Sequence, residues 1–326
     1  MKKPRLLVVG SFVMDLIFRT ERFVEPGETI LGLDFRSASG GKGANQAVQA
    51  ARLGADVTMV GKVGDDAYGK AMIASLSEAG VCTDKVMVTN RYPSGMSNIQ
   101  IQDSGNGTQN RIIVMAGANM AITPKDVAFL EEEVALYDMV MLQQEIPMEI
   151  NILVARYARA KGVPVMLNPA PSAPLEKELL SYLTYITPNE HEAQDLIGIK
   201  PEGEPAVRRA AVLLRDQGVA NVVITLGAAG AAFWNGRRFF ISTGVPCLNP
   251  VDPTAAGDSF IGAFCTAVCA GMEMEDAMVF ANHTASITVS KMGAQPSLPA
   301  LKLVNESLAA AGRATLCYDV GGNMRA

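Results

Sequence analysis

Short apolar runs alternate with helical patterns along most of this 326-residue chain, and that alternation constrains the fold more than any other feature. RLLVVG (5–10) reads as a buried first strand. GKGANQAVQAARLG (41–54) reads as a helix ending at Gly54. DVTMVGKVG (56–64) is a strand, AYGKAMIASLSEAG (67–80) a helix and YDMVMLQQ (137–144) a buried strand. EINILVARYARAKG (149–162), VPVMLNPA (163–170), AVRRAAVLLRDQG (206–218) and ANVVITLG (220–227) continue the series as helix, strand, helix, strand. Repeated strand–helix units predict an α/β fold, a mostly parallel central sheet with helices on both faces. Ligands of such sheets bind beyond the carboxyl ends of the strands. Gly10-Ser11, Gln143 to Glu145, Asn168-Pro169, Pro188-Asn189 and Gly227 cluster there.

Two stretches break the pattern. Residues 12–40 and 94–118 read as short β-ribbons without helix, with turns at Gly105-Asn106-Gly107. Together they predict a small β-sheet lid over one end of the main sheet, a device that excludes water. Ordinary surface hairpins are the plainer alternative. With no repeat and no low-complexity linker, residues 1–313 form one domain, and 314–326 read as a loose tail.

Composition excludes several classes. Net charge is −5 and no basic stretch stands out, so nucleic acid is not an expected partner. Five cysteines form no framework, which suggests a reducing, cytoplasmic setting. Cys265 and Cys269, four residues apart on an apolar helix, read as core rather than half a metal site. The basic, apolar N-terminus mimics a signal peptide, but Asp15 interrupts it. No apolar run reaches the ~18 residues of a membrane span. Two histidines leave a Ser-His-Asp or His-zinc site poorly supported. A dinucleotide fingerprint is missing.

The chemistry-bearing stretches are few. In NPVDPTAAGDSFIGAF (249–264), Asp258 stands between tiny residues and an apolar helix. It is either a helix cap or a catalytic base. Ala255, Ala256 and Gly257 let a ligand approach backbone N–H groups that attract phosphate. SASGGKGANQAVQAA (37–51) is not a P-loop. It exposes backbone before a helix carrying Asn45, which suits a small polyol or a mere tight turn. TPNEHEAQ (187–194) opens a helix with Asn189, Glu190 and Glu192, more acceptors than plain capping requires. The glycine turn in VITLGAAGAAFWNG (223–236) suits nucleotide phosphates or a hairpin. Glu145 is a lone acid at the active edge.

These pieces, in order, resemble the ribokinase family of carbohydrate kinases, of the phosphofructokinase-B type. GSFVMD, PGET, GGKGANQA, GDDAYG, NPAP, TPNE, ITLGAAG, DPTAAGDSF and GAQPS carry the resemblance over roughly residues 5–300. It implies a three-layer α/β/α domain with a β lid that often forms a homodimer interface. It also implies ATP-dependent phosphorylation of a sugar's primary hydroxyl, most simply D-ribose to ribose 5-phosphate, with Mg2+ and K+. By position, Asp258 is the implied base and Ala255, Ala256 and Gly257 the implied anion hole. Asp15, Gly41, Lys42, Asn45 and Glu145 match sugar contacts. Asn189, Thr225, Leu226, Gly227, Gly230 and Asn282 match the nucleotide pocket. Asn189 and Glu192 match the family's Asn-x-x-Glu element near magnesium. Asp252, Thr254, Thr288, Lys291, Gly293 and Ser297 match a monovalent-cation site.

Three residues depart from the family's pattern. Pro253 replaces a threonine and removes an N–H donor. Lys291 stands where arginine is common. Val13 replaces an asparagine that contacts the sugar, which keeps 2-deoxyribose, another pentose and a nucleoside open as substrates. A catalytically silent sugar or nucleotide sensor is the non-enzymatic alternative.

Overall fold

A computed structural model describes residues 1–104 and 107–318. Nine strands form the large sheet: β1 (Arg5–Val9), β4 (Asp56–Gly64), β5 (Cys82–Thr89), β8 (Met139–Gln143), β9 (Val165–Asn168), β10 (Tyr185–Ile186), β11 (Asn221–Thr225), β12 (Gly230–Trp234) and β13 (Phe239–Thr243). Their order is β13-β12-β11-β10-β9-β8-β1-β4-β5, parallel except where β12 pairs antiparallel with β11 and β13. A separate sheet holds β2 (Val13–Thr20), β3 (Asp34–Gly40), β6 (Met96–Ser104) and β7 (Gly107–Met115), in the order β3-β2-β6-β7.

The helices are α1 (Lys42–Arg52), α2 (Ala67–Glu78), α3 (Pro124–Val127), α4 (Leu130–Glu133), α5 (Met148–Ala160), α6 (Lys177–Tyr182), α7 (Glu190–Ile197), α8 (Gly203–Asp216), α9 (Ala256–Cys269), α10 (Met274–Thr288) and α11 (Leu301–Ala310). They cover both faces of the large sheet. Alternation along β1 shows why the strands are apolar throughout. Leu6 and Val8 join the core shared with α1, α9 and α10, while Leu7 and Val9 join the core shared with α5 and α8.

The expected three-layer α/β/α architecture with a small second sheet is present. Two strands escaped the sequence reading. The edge strand β5 mixes polar and apolar residues and is half-exposed, and β13 follows β12 as a second antiparallel strand at the other edge. The expected Gly105-Asn106-Gly107 turn falls on residues 105–106, outside the described residues. The tail differs as far as Tyr318. Leu316 is fully buried, Asn305 brackets its backbone, and the Tyr318 hydroxyl donates to the Leu53 carbonyl at 2.7 Å. The signal is a lone apolar residue and a tyrosine, which carry no helical period. Residues 319–326 lie outside the described residues.

Strand order places the site. The chain runs from β1 to β4 on one side, whereas β8 lies on the other, so the order reverses between β1 and β8. Ser11 follows β1 and Glu145 follows β8, and the Ser11 hydroxyl donates to Glu145 Oε2 across that point. Among the described residues no helix is long and apolar enough to cross a membrane.

Candidate active site

At the carboxyl edge of the large sheet lies a cavity of about 210 Å3, reached by Lys42, Asn168, Thr187, Asn189, Glu192 and Asp258. Thr225, Ala255 and Gly257 also border it. Residues from five separate stretches thus border one cavity, whereas Asp15, Gly41, Asn45, Glu145 and the residues expected to hold a monovalent cation do not line it. A second, larger hollow by Ser172 and Gln217 contains none of these groups.

Asp258 sits in the first turn of α9 and is almost wholly buried. It does not cap the helix. Ala255 holds the N-cap position at φ 60°, a left-handed conformation that strains a residue with a Cβ, and no side chain caps it. The Asp258 carboxylate instead turns toward α1. Asn45 Nδ2 donates to Oδ2 at 2.9 Å, and Gln46 Nε2 donates to Oδ1 at 3.0 Å. Burial pushes the Asp258 pKa above the ordinary carboxylate value, while Lys42, Asn45 and Gln46 act to keep it charged.

Gly257 has open space where a Cβ would be, with nothing within 4 Å. This bare stretch of helix start is what a phosphoryl group needs for close approach to backbone N–H groups. Lys42 is half-buried beside it. Burial works against its charge, but Asp258, Glu145 and Glu192 outweigh that and hold its pKa above the ordinary lysine value.

The loop before α1 is built by close approach. At Gly41 (φ 94°) a Cβ would lie 2.7 Å from Val13 N, and at Gly43 2.6 Å from Ser11 N. Glu145 Oε2 accepts the Lys42 backbone N–H at 2.9 Å and fixes the loop to β8. On the small sheet Asp15 accepts from Ser97 Oγ at 2.6 Å. Burial raises the Asp15 pKa, the Ser97 bond lowers it, and the charges of Glu145 and Asp258 raise it further. Asn45 Oδ1 is buried without a partner, an acceptor that a ligand hydroxyl would satisfy.

Around the nucleotide-type positions the picture is mixed. Asn189 and Glu192 form a reciprocal capping box on α7, at 2.8 and 2.9 Å. The Glu192 bond uses Oε2 only, and burial raises the Glu192 pKa. Thr225 bridges Asn189 just before the Leu226–Gly230 turn. At Gly230 a Cβ would meet Ser242 O at 2.1 Å, so that turn packs against the end of β13. Asn282 does not border the cavity. Its Nδ2 donates to Ser242 Oγ at 3.0 Å and to the Ser242 and Thr243 carbonyls, fixing that same strand end.

The cation-type residues come together as two laced loops. Asp252 accepts from Thr254 N at 2.9 Å and Gly293 N at 2.8 Å, and Val251 N donates to Val289 O. The Thr288 hydroxyl donates to Thr284 O and meets Ser259 Oγ, and the Ser297 hydroxyl donates to Ala294 O. Lys291 closes a turn by donating its backbone N–H to Thr288 O. Among the described residues no group of three or more His, Cys, Asp or Glu could hold a metal by itself.

Sequence reasoning missed Gln46 and understated Asn168. Gln46 was hidden because a buried glutamine in an alanine-rich helix reads as tolerated polarity. The available signal was two glutamines, 46 and 49, on the helix's buried side.

The family model for pfkB family carbohydrate kinases matches residues 3–301. A ribokinase of Bacillus subtilis is 41% identical over 93% of this chain and 99% of its own length. A deoxyribokinase of Salmonella typhi is 33% identical over 93% of this chain and 98% of its own. The structure of Arabidopsis thaliana ribokinase with ribose and ATP superposes with a TM-score of 0.87 at 34% identity, covering 94% of this chain and 99% of that one. These likenesses place the chain in the pfkB family of carbohydrate kinases.

Proposed function

We propose that the protein is an ATP-dependent ribokinase, transferring the γ-phosphoryl group of ATP to the primary hydroxyl of D-ribose. The observation that carries this is Asp258, a buried carboxylate held by two amides beside the open backbone at Gly257. Phosphoryl transfer asks for placement and charge neutralisation. Asp258 takes the hydroxyl proton. The N–H groups at the start of α9 receive the phosphoryl oxygens, and Lys42 adds positive field. Asp15, Asn45 and Glu145 hold the sugar, with the small sheet closing over it. The nucleotide lies along Asn189 and the Thr225–Gly230 turn.

Magnesium fits a site with one protein carboxylate, because it keeps waters and takes oxygens from the nucleotide phosphates. Glu192, with one oxygen outside its capping bond, would hold it through water, and the ion would neutralise phosphate charge. Potassium suits the carbonyl-rich loops at 252–254 and 288–293. The small-sheet face that carries Asp15 also carries Ile17, Ile99, Ile112 and Val114 by strand alternation, with Ile112 and Val114 more than half exposed. That strip extends past a single sugar and suits a second copy of this chain.

A coupled assay of ADP release across pentoses, hexoses and nucleosides tests the reading. Ribose should turn over fastest, and a chain that binds ribose without ATP turnover would be a sensor instead. The second reading, 2-deoxyribose, rests on Val13, which is buried on the same strand face as Asp15.

A further inference from the structure

The Asp258 carboxylate has two unequal oxygens. Oδ2 shares Asn45, which belongs to the sugar side. Oδ1 faces a group with no part in the proposed sugar or nucleotide contacts. Gln46 is fully buried, and its Nε2 donates both to Asp258 Oδ1 at 3.0 Å and to Asn168 Oδ1 at 3.2 Å. Gln46 Oε1 accepts from Gln143 Nε2 at 2.8 Å, and this agrees with the Asn168 acceptor on which end of the amide faces Asp258. Gln143 is itself fully buried, and Asn151 donates to its backbone carbonyl at 2.8 Å. Asn168 Nδ2 donates to Thr187 O at 3.1 Å, so its oxygen is the end left for Gln46.

We infer that Gln46 is a positioning residue for the phosphoryl-transfer base: oriented by Gln143, it anchors Asp258 through Oδ1 and leaves Oδ2 to take the sugar proton. The inference deepens the kinase reading and rests on it. An amide chain of this kind has a direction. Each member is buried, and reversing one would set donor against donor or acceptor against acceptor, which a low-dielectric interior penalises. The chain therefore presents an N–H, not a carbonyl, to the carboxylate. That N–H favours the charged form needed in a base. The other charged groups facing Asp258 are Lys42 from the start of α1, Glu145 after β8, Glu192 on α7 and Asp15 on β2. Only Lys42 among these supports the negative charge, so the neutral donors carry weight.

The test compares Gln46→Met and Gln46→Glu with wild type by ribose-dependent ADP release from pH 4.5 to 9, with thermal melts alongside. Methionine keeps the volume and removes the donor. The acid limb of the rate profile should move up by about one pH unit, the scale of one hydrogen bond to a charged group. Turnover should fall about tenfold from misplacement, with KM for ATP within about twofold. Gln46→Glu should shift the limb further, because it sets a second carboxylate against Asp258. An acid limb unchanged in folded Gln46→Met makes Gln46 a packing residue and overturns the inference, whatever happens to the melting temperature. If Gln46→Met does not fold, Gln143→Met decides. It leaves every Asp258 contact in place but frees the Gln46 amide, and should give a smaller shift in the same direction. No shift there overturns the inference as well. A wild-type enzyme that phosphorylates no sugar overturns the proposed function itself, so the two failures are told apart.

Discussion

Asn45 and Asp258 are joined by a 2.9 Å hydrogen bond from Nδ2 to Oδ2, across 213 positions of chain. The bond ties the glycine loop at α1 to the start of α9. It leaves Asn45 Oδ1 buried and unpartnered, facing the demand for a hydroxyl donor. On the proposed reading one asparagine would orient the base and offer the sugar an acceptor, so that sugar binding and base alignment would be coupled.

Replacing Asp258 by Asn separates catalysis from stability. Turnover should fall at least ~10²-fold, the usual scale for losing a general base, with ATP affinity little changed. The folded-state pKa of Asp258 is raised. Protonation is therefore favoured by folding, and the resulting stability is present below the unfolded value of 3.8 and lost as pH rises through the folded value. The melting temperature of Asp258→Asn should accordingly gain on wild type as pH goes from 3.8 upward through that window. A variant that keeps more than half its turnover would return Asp258 to a structural role.

Gly257→Ala tests the anion hole. A Cβ there meets nothing within 4 Å, so the fold has room for it. Alanine also favours a helix over glycine by about 0.5–1 kcal/mol. The variant should melt at or above wild type yet lose turnover by at least about tenfold, because the methyl group occupies the path of the phosphoryl oxygens. Unchanged kinetics would show that phosphate binds elsewhere.

The laced loops at 252–254 and 288–293 give a prediction in two parts. Potassium should raise activity over a sodium- or Tris-only buffer, since a bound ion would orient the backbone leading into Ala255 and add positive field. Asp252→Asn should abolish that difference while leaving activity in Tris nearly unchanged. The Pro253 carbonyl accepts from Ala256 N at 3.1 Å, a bond that would connect a bound ion to the start of α9. Equal rates in all buffers would reject the site.

Much of this was legible before the structure, for particular reasons. The parallel strands are buried on both faces, so RLLVV and MVMLQ announce themselves as unbroken apolar runs. The glycines at 41 and 43 mark a loop where two backbones touch. Strand β5 was not legible, because an edge strand need not be apolar. The Gln46–Asp258 pairing was not legible either. Nothing local to residue 46 or 258 tells which of many distant polar groups it will meet. The Glu192 cap lay between these cases: its spacing from Asn189 is that of a capping box, and the structure shows that bond to be made.

Val13 is 5% exposed and pairs with Gly40 beside the glycine loop that opens α1. It shares the Asp15 face of β2, so an apolar wall stands where the resemblance to the family would put an amide. Two neighbours could have supplied the missing contact. Ser11 Oγ already donates to Glu145, and Gln143 Nε2 already donates to Gln46. Both donors are committed, so neither can donate to the oxygen of a sugar hydroxyl directed at Val13. An unpaired buried hydroxyl costs about 1–3 kcal/mol, or roughly 5- to 150-fold in binding. A sugar with hydrogen at that carbon avoids the penalty. Val13→Asn should therefore raise the kcat/KM ratio of ribose over 2-deoxyribose by at least about fivefold. Its melting temperature should fall, since the amide is buried until sugar arrives. Measuring both sugars on both proteins decides the matter. If the ratio does not move and ribose dominates in each, Val13 is strand packing, and the substrate preference is set elsewhere in the site.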